Sequence, residues 1–182
     1  MIDKTIFIAE VKTQSPFGYR AEKSWEELFD IANTHGDWLS IHTDSRWGGS
    51  FDLLAKARKL TQKPILAKGF HATDDDVRRA ALLGADFVLV VGRVPSIYSE
   101  KIIIEPLDMD ALKKIPQEYR VLWNSRDLET GGLKKESFTD ARAMRSSWLV
   151  QASNIHTIAD IEKGADAVLV GTHLEEFIKS LK

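Results

Sequence analysis

Glu10 and Lys12 stand two residues apart at the end of an apolar run, Lys68 closes another such run and Glu105 a third. Lysines and carboxylates held together in a cavity shift one another's proton affinity. A cation that gives up a proton beside a carboxylate that accepts one is how a fold performs acid and base chemistry near neutral pH. Asn124 and Arg126 follow a further run, and Gln151 and Ser153 another. Ser153-Asn154-Ile155 and Val170-Gly171-Thr172 each precede a helix start, where backbone N–H groups can cradle a phosphate. Taken one at a time these residues have plain readings. A charge at a strand end marks where the strand meets water, and Gly171-Thr172 is a turn with an N-cap. Convergence on one rim is what turns the set toward chemistry.

The elements needed for that convergence are spaced through the chain. Apolar runs cover Thr5 to Val11, Trp38 to Thr43, Pro64 to Lys68, Asp86 to Val91, Lys101 to Glu105, Tyr119 to Trp123, Trp148 to Gln151 and Asp166 to Val170. Helical candidates begin near Ser24, Gly49, Thr73, Leu107, Glu136, His156 and Thr172, and only the Gly92 to Glu100 connection is too short for a helix. Strands apolar on both faces and joined by crossover helices form parallel sheets, and eight of them close most simply into a barrel. The expected fold is a compact (β/α)8 TIM barrel with shortened helices, a single domain over residues 1–182. It is small for a fold whose usual lower limit is about 200 residues. Leu83-Gly84-Ala85-Asp86 and Lys163-Gly164-Ala165-Asp166 repeat one helix-to-strand ending. The first run leads into Lys12-Thr13-Gln14-Ser15-Pro16, which carries no dinucleotide fingerprint. In a barrel, the strand C-termini form the active-site face, so Glu10, Lys12, Lys68 and Glu105 meet there.

Composition narrows the chemistry. Lys and Arg number 25 against 27 Asp and Glu, so no broad basic face exists for nucleic acid or anionic lipid. Cysteine is absent, which removes disulfides, thiolate metal sites and thiol nucleophiles. With no apolar stretch of membrane length and no leader pattern, the expected location is cytoplasmic. The five histidines show no close pair at metal-ligand spacing, and Asp74-Asp75-Asp76 after Thr73 reads as an acidic first helical turn, so no metal is expected. Trp25, Trp38, Trp123 and Trp148 read as packing; Trp47, in a loop beside two glycines, is placed to stack on a ligand ring.

With these residues in place, the sequence resembles indole-3-glycerol phosphate synthase from about Ile6 to Leu181. Ile8-Ala9-Glu10-Val11-Lys12 with Ser15-Pro16 is similar to the family's first-strand motif, the most specific signal present. Ser40 to Asp44 with Trp47 to Ser50, Pro64 to Phe70, Asn124 to Leu128 and Asp166 to Gly171 continue in order. The resemblance implies closure of the indole ring of a carboxyphenylamino deoxyribulose phosphate with loss of carbon dioxide and water, without metal or organic cofactor. It implies Lys68 as general acid and Glu105 as base, with Glu10 and Lys12 assisting dehydration. Asn124, Arg126, Ser153 and Ser15 would hold the anthranilate carboxylate and hydroxyls, with Phe70 and Trp47 also at the substrate. Backbone near Asn154, Gly171 and Thr172 would take the phosphate.

The chain departs from the family where Gly69 stands for the usual Asp, Ala152 for a Glu and Asn154 for a Gly. Its first strand begins almost at Met1, so no N-terminal lid helix is expected, and a second copy or a pathway enzyme could do the covering. Two alternatives stay open: a catalytically silent barrel that binds an indole or anthranilate phosphosugar as sensor or scaffold, and another phosphosugar-converting barrel. Of the latter kind, a phosphoribosylanthranilate isomerase-like activity is disfavoured by the missing cysteine.

Overall fold

A computed structural model describes residues 5–182. Eight parallel strands close into a barrel in sequence order: β1 (Ile6–Val11), β2 (Trp38–His42), β3 (Ile65–Lys68), β4 (Phe87–Val91), β5 (Ile102–Glu105), β6 (Arg120–Asn124), β7 (Leu149–Ala152) and β8 (Ala167–Val170), with β8 pairing back onto β1. The fold expected from the alternation is the fold observed. Six helices are α1 (Trp25–His35), α2 (Phe51–Leu60), α3 (Asp74–Leu82), α4 (Met109–Lys114), α5 (Phe138–Met144) and α6 (Leu174–Ser180). Ser24, Thr73 and Ser137 open α1, α3 and α5 with reciprocal capping boxes, and Ser50 and Asp108 cap α2 and α4.

Two-residue periodicity sorts every strand. Phe7, Ala9 and Val11 of β1 face outward with Leu39, Ile41, Val88, Ile102 and Trp123 into the layer beneath the helices, whereas Ile8 faces inward with Leu66, Leu89, Ile103, Leu122, Val150 and Leu169. Each such fully buried Leu or Ile contributes roughly 1.5–3 kcal/mol of burial free energy. Below this layer Trp38 stacks on Phe87 at 4.3 Å and on Trp148 at 5.7 Å, forming the barrel floor. Two residues further along β1, β3, β5 and β6 the inward positions are Glu10, Lys68, Glu105 and Asn124, and on β2 His42 follows the buried Ser40. The polar layer is therefore the next step of the pleat that builds the apolar one.

The two Gly-Ala-Asp segments form the same latch on strands four apart. Asp86 Oδ2 accepts from Ile65 N at 2.9 Å and Arg58 Nη1 at 3.0 Å, and Asp166 Oδ2 accepts from Leu149 N at 2.8 Å and Arg142 Nη1 at 3.0 Å. Gly84 and Gly164 take φ of 101° and 90°, and a side chain on either would strike the arginine stem lying against it. Arg58 and Arg142 also donate to the carbonyls just beyond their own helices.

Three expectations need correction. No α-helix begins at His156: a short 3-10 turn (Ile158–Asp160) fills the connection. Gln151 of β7 points outward, where its amide donates to Asp160 O and accepts from Glu162 N, so a strand side chain takes hydrogen bonds that a helix would have made internally. Gln151 therefore lies away from the rim with which it was grouped. Finally, His173 rather than Thr172 occupies the N-cap position of α6, without a side-chain capping bond.

Candidate active site

Glu10 is the hub of the rim. Its Oε1 accepts from Lys68 Nζ at 2.6 Å and from His42 Nε2 at 2.9 Å, while Oε2 lies 3.3 Å from Lys12 Nζ. The carboxylate is 2% exposed. Burial by itself would push it up, but Lys68, Lys12 and His42 outweigh burial and hold it well below the usual carboxylate range. Lys12 moves down from the ordinary lysine value because it is buried and faces Lys68, with Glu10 opposing. Burial likewise pushes His42 down, and its ring stacks parallel to Trp47 at 5.9 Å. Gly171 has no side chain because Glu10 needs the space: a Cβ there would fall inside the carboxylate.

Glu105 sits in a second arrangement across the barrel. Its Oε1 accepts from Asn124 Nδ2 at 2.8 Å, and Asn124 Oδ1 accepts in turn from Arg126 N at 3.0 Å and Ser153 Oγ at 2.6 Å. Burial raises Glu105 above the ordinary carboxylate value despite the opposing pull of Lys68, Asn124 and Lys134. The two carboxylates of one rim are thus driven in opposite directions, the separation by which a site divides proton-holding from charge-holding roles.

A cavity open at its mouth brings together Lys12, Ser15, Trp47, Lys68, Phe70, Glu105, Asn124, Arg126, Ser153 and Thr172. Glu10, Asn154 and Gly171 line an adjoining smaller cavity that shares Lys12, Lys68, Arg126, Ser153 and Thr172. Apart from Gln151, the residues expected at the site thus line two adjoining hollows at the strand C-termini. One wall is aromatic and apolar, with Trp47 5.9 Å from Phe70 and the Arg46 guanidinium 4.6 Å above the Phe70 ring. Arg46 is itself held by Asp44.

After β7, Ser153 and Asn154 both adopt left-handed backbone, with φ of 72° and 55°. Asparagine tolerates that conformation better than other non-glycine residues, which accounts for Asn154 where the resemblance has glycine. Gly69 has a steric reason. A Cβ there would strike Thr43 Oγ1, which is engaged with His71 Nε2 at 3.0 Å. The Asp74 to Asp76 carboxylates engage protein groups: Asp74 pairs with Arg93 and Ser96, Asp75 with Arg78, and Asp76 caps α3.

Sequence reasoning missed the lining residues Phe17 and Tyr19, and a cation coupled to Glu105 that does not itself line the cavity, Lys134. Phe17 and Tyr19 reach the cavity because the connection after β1 folds back through Ser15 N to Tyr19 O at 2.9 Å, with Gly18 at φ 94°. The Ser15-Pro16-Phe17-Gly18-Tyr19 turn was the available signal. Lys134, which burial pushes down and Glu105 pulls up, donates to Pro106 O and lies 4.5 Å from the Trp123 ring. In the sequence it is hidden among Lys134-Lys135-Glu136, where nothing separates it from a solvated charge run.

Among the described residues, no helix is long and apolar enough to cross a membrane. The family model for indole-3-glycerol phosphate synthase matches residues 2–118. The indole-3-glycerol phosphate synthase of Crocosphaera subtropica is 31% identical over 92% of this chain and 67% of its own length. That of Sulfurisphaera tokodaii is 28% identical over 95% of this chain and 79% of its own length. The tryptophan biosynthesis protein TrpCF of Vibrio parahaemolyticus is 28% identical over 94% of this chain, which spans only 41% of that protein. Eight parallel strands, the ordered rim motifs and these matches lead to one conclusion: the chain belongs to the indole-3-glycerol phosphate synthase family.

Proposed function

We propose that this protein closes the indole ring of 1-(o-carboxyphenylamino)-1-deoxyribulose 5-phosphate with loss of carbon dioxide and water. The observation that carries this reading is the meeting of a Lys68–Glu10–Lys12 cluster with an Asn124-held Glu105 across two adjoining cavities, beside an aromatic wall. Attack of the carboxyl-bearing ring carbon on the sugar carbonyl places charge on the carbonyl oxygen. Lys68 is the donor for that oxygen, held by Glu10 at 2.6 Å. Departure of the carboxyl group as carbon dioxide restores the ring. The new hydroxyl then leaves as water on taking a proton, and Glu105 takes the complementary proton, its raised affinity suiting a base. Lys12, pushed down by burial, releases a proton more readily than a solvated lysine and assists the dehydration.

Trp47 and Phe70 take the anthranilate ring. Arg126, Ser15 and Ser153, with Asn124, hold its carboxylate and the sugar hydroxyls, and backbone around Asn154, Gly171 and Thr172 holds the phosphate. The test is the rise of indole fluorescence when the purified protein meets this substrate. Lys68→Ala is expected to lower kcat by roughly 10²- to 10⁴-fold, the usual contribution of one proton-transfer group. Near wild-type turnover in Lys68→Ala overturns the assigned acid, and saturable substrate binding without product by the unaltered protein favours a binding barrel instead.

A further inference from the structure

His156 lies in the connection between β7 and β8, and His173 and Glu176 are one turn apart at the start of α6, so their meeting depends on the folded rim. One ligand atom from each, a ring nitrogen or a carboxylate oxygen, lies within 4.8 Å of the other two, the one such trio among the described residues. The imidazoles stack at 3.6 Å between centroids, and both present Nδ1 to the same atom. Glu176 Oε2 is 3.1 Å from His156 Nδ1 and 3.3 Å from His173 Nδ1. A tetrahedral cation with bonds of about 2.0–2.1 Å needs neighbouring ligand atoms roughly 3.3 Å apart, which two of the three pairs already satisfy.

The frame is tied before any ion arrives. Ile158 N donates to Ser180 Oγ at 3.0 Å, joining the β7–β8 connection to the end of α6, and His156 N donates to Asp160 Oδ2 at 2.9 Å. All three side chains are partly exposed, so a hydrated ion can reach them and solvent can complete the shell. We propose that His156, His173 and Glu176 bind one zinc-class divalent cation at the β7–β8 rim. Two imidazoles and one carboxylate with an open fourth position are a donor set suited to that ion. None of the three is given a step in the proposed reaction, although His173 borders the smaller cavity, so metal binding is read by spectrum and melting temperature and not by turnover.

The test uses full-length protein without a histidine tag, titrated with Co²⁺ while its visible absorption is followed, then with Zn²⁺ as competitor. One equivalent of Co²⁺ with a tetrahedral spectrum, displaced by Zn²⁺, is expected. His156→Ala and His173→Ala should each weaken binding at least tenfold or so, the scale on which even outer-shell changes act, while exposed His35→Ala leaves it unchanged. Zn²⁺ should also raise the melting temperature of the unaltered protein and not that of either rim variant, a readout that stands if a spectrum is weak. Absence of saturable binding, or binding of equal strength in His156→Ala, overturns the proposal.

Discussion

Asn124 is a single side chain with three duties, and removing it separates them. Its amide donor favours the charged form of Glu105, so Asn124→Ala raises the proton affinity of a carboxylate already raised by burial. A base must be unprotonated to act. The acid limb of the kcat/KM profile of Asn124→Ala is therefore expected at higher pH than in the unaltered protein, and a limb that stays in place would remove Glu105 from the role of base. Asn154 offers a conformational counterpart. Its left-handed φ of 55° costs a β-branched residue about 1–2 kcal/mol more than glycine. Asn154→Gly should match or exceed the unaltered protein in urea stability and Asn154→Val should fall below it by that amount.

At the scale of elements, the duplicated Arg–Asp latch explains why the Gly-Ala-Asp segments repeat. Each arginine donates to its latch aspartate and to carbonyls just beyond its own helix, so Arg58→Ala or Arg142→Ala should cost about 1–3 kcal/mol. The double variant should show the sum, because the two latches share no residues. Denaturant unfolding of the three proteins checks both statements. This repeat was legible in the sequence because glycine and the following aspartate each answer a local demand. The polar rim was legible for a related reason: Ile8-Ala9-Glu10 and Ile103-Ile104-Glu105 keep strict alternation, so an inward apolar residue announces an inward charge two positions on. The missing helix at His156 was not legible. Its hydrogen-bonding partners come from Gln151, on a strand, and no helical periodicity records a competitor of that kind. The His156–His173 contact was hidden likewise, since it arises from two connections at the rim and not from spacing along either.

Across the whole molecule the two buried carboxylates pull stability in opposite directions with pH. Glu10 is depressed in the fold, so its contribution is fully present above the unfolded glutamate value of about 4.3 and is lost as pH falls through its folded value. Glu105 is raised, so its charged form costs stability at neutral pH, and that cost fades as pH falls from its folded value toward about 4.3. Glu105→Gln should therefore be more stable than the unaltered protein near pH 7, with the gap narrowing near pH 5. Glu10→Gln should be less stable by on the order of 3 kcal/mol, because its three basic neighbours lose their shared partner. Urea midpoints at both pH values decide each case. The barrel's two ends also differ in their aromatics. Trp47 stands on the cavity wall, whereas Trp38 and Trp148 are stacked 5.7 Å apart on the floor. The molecule is thereby fitted with two optical channels: Trp47 emission responds to an occupant of the cavity, while the exciton circular dichroism of the stacked indole pair persists until the strands that hold it part.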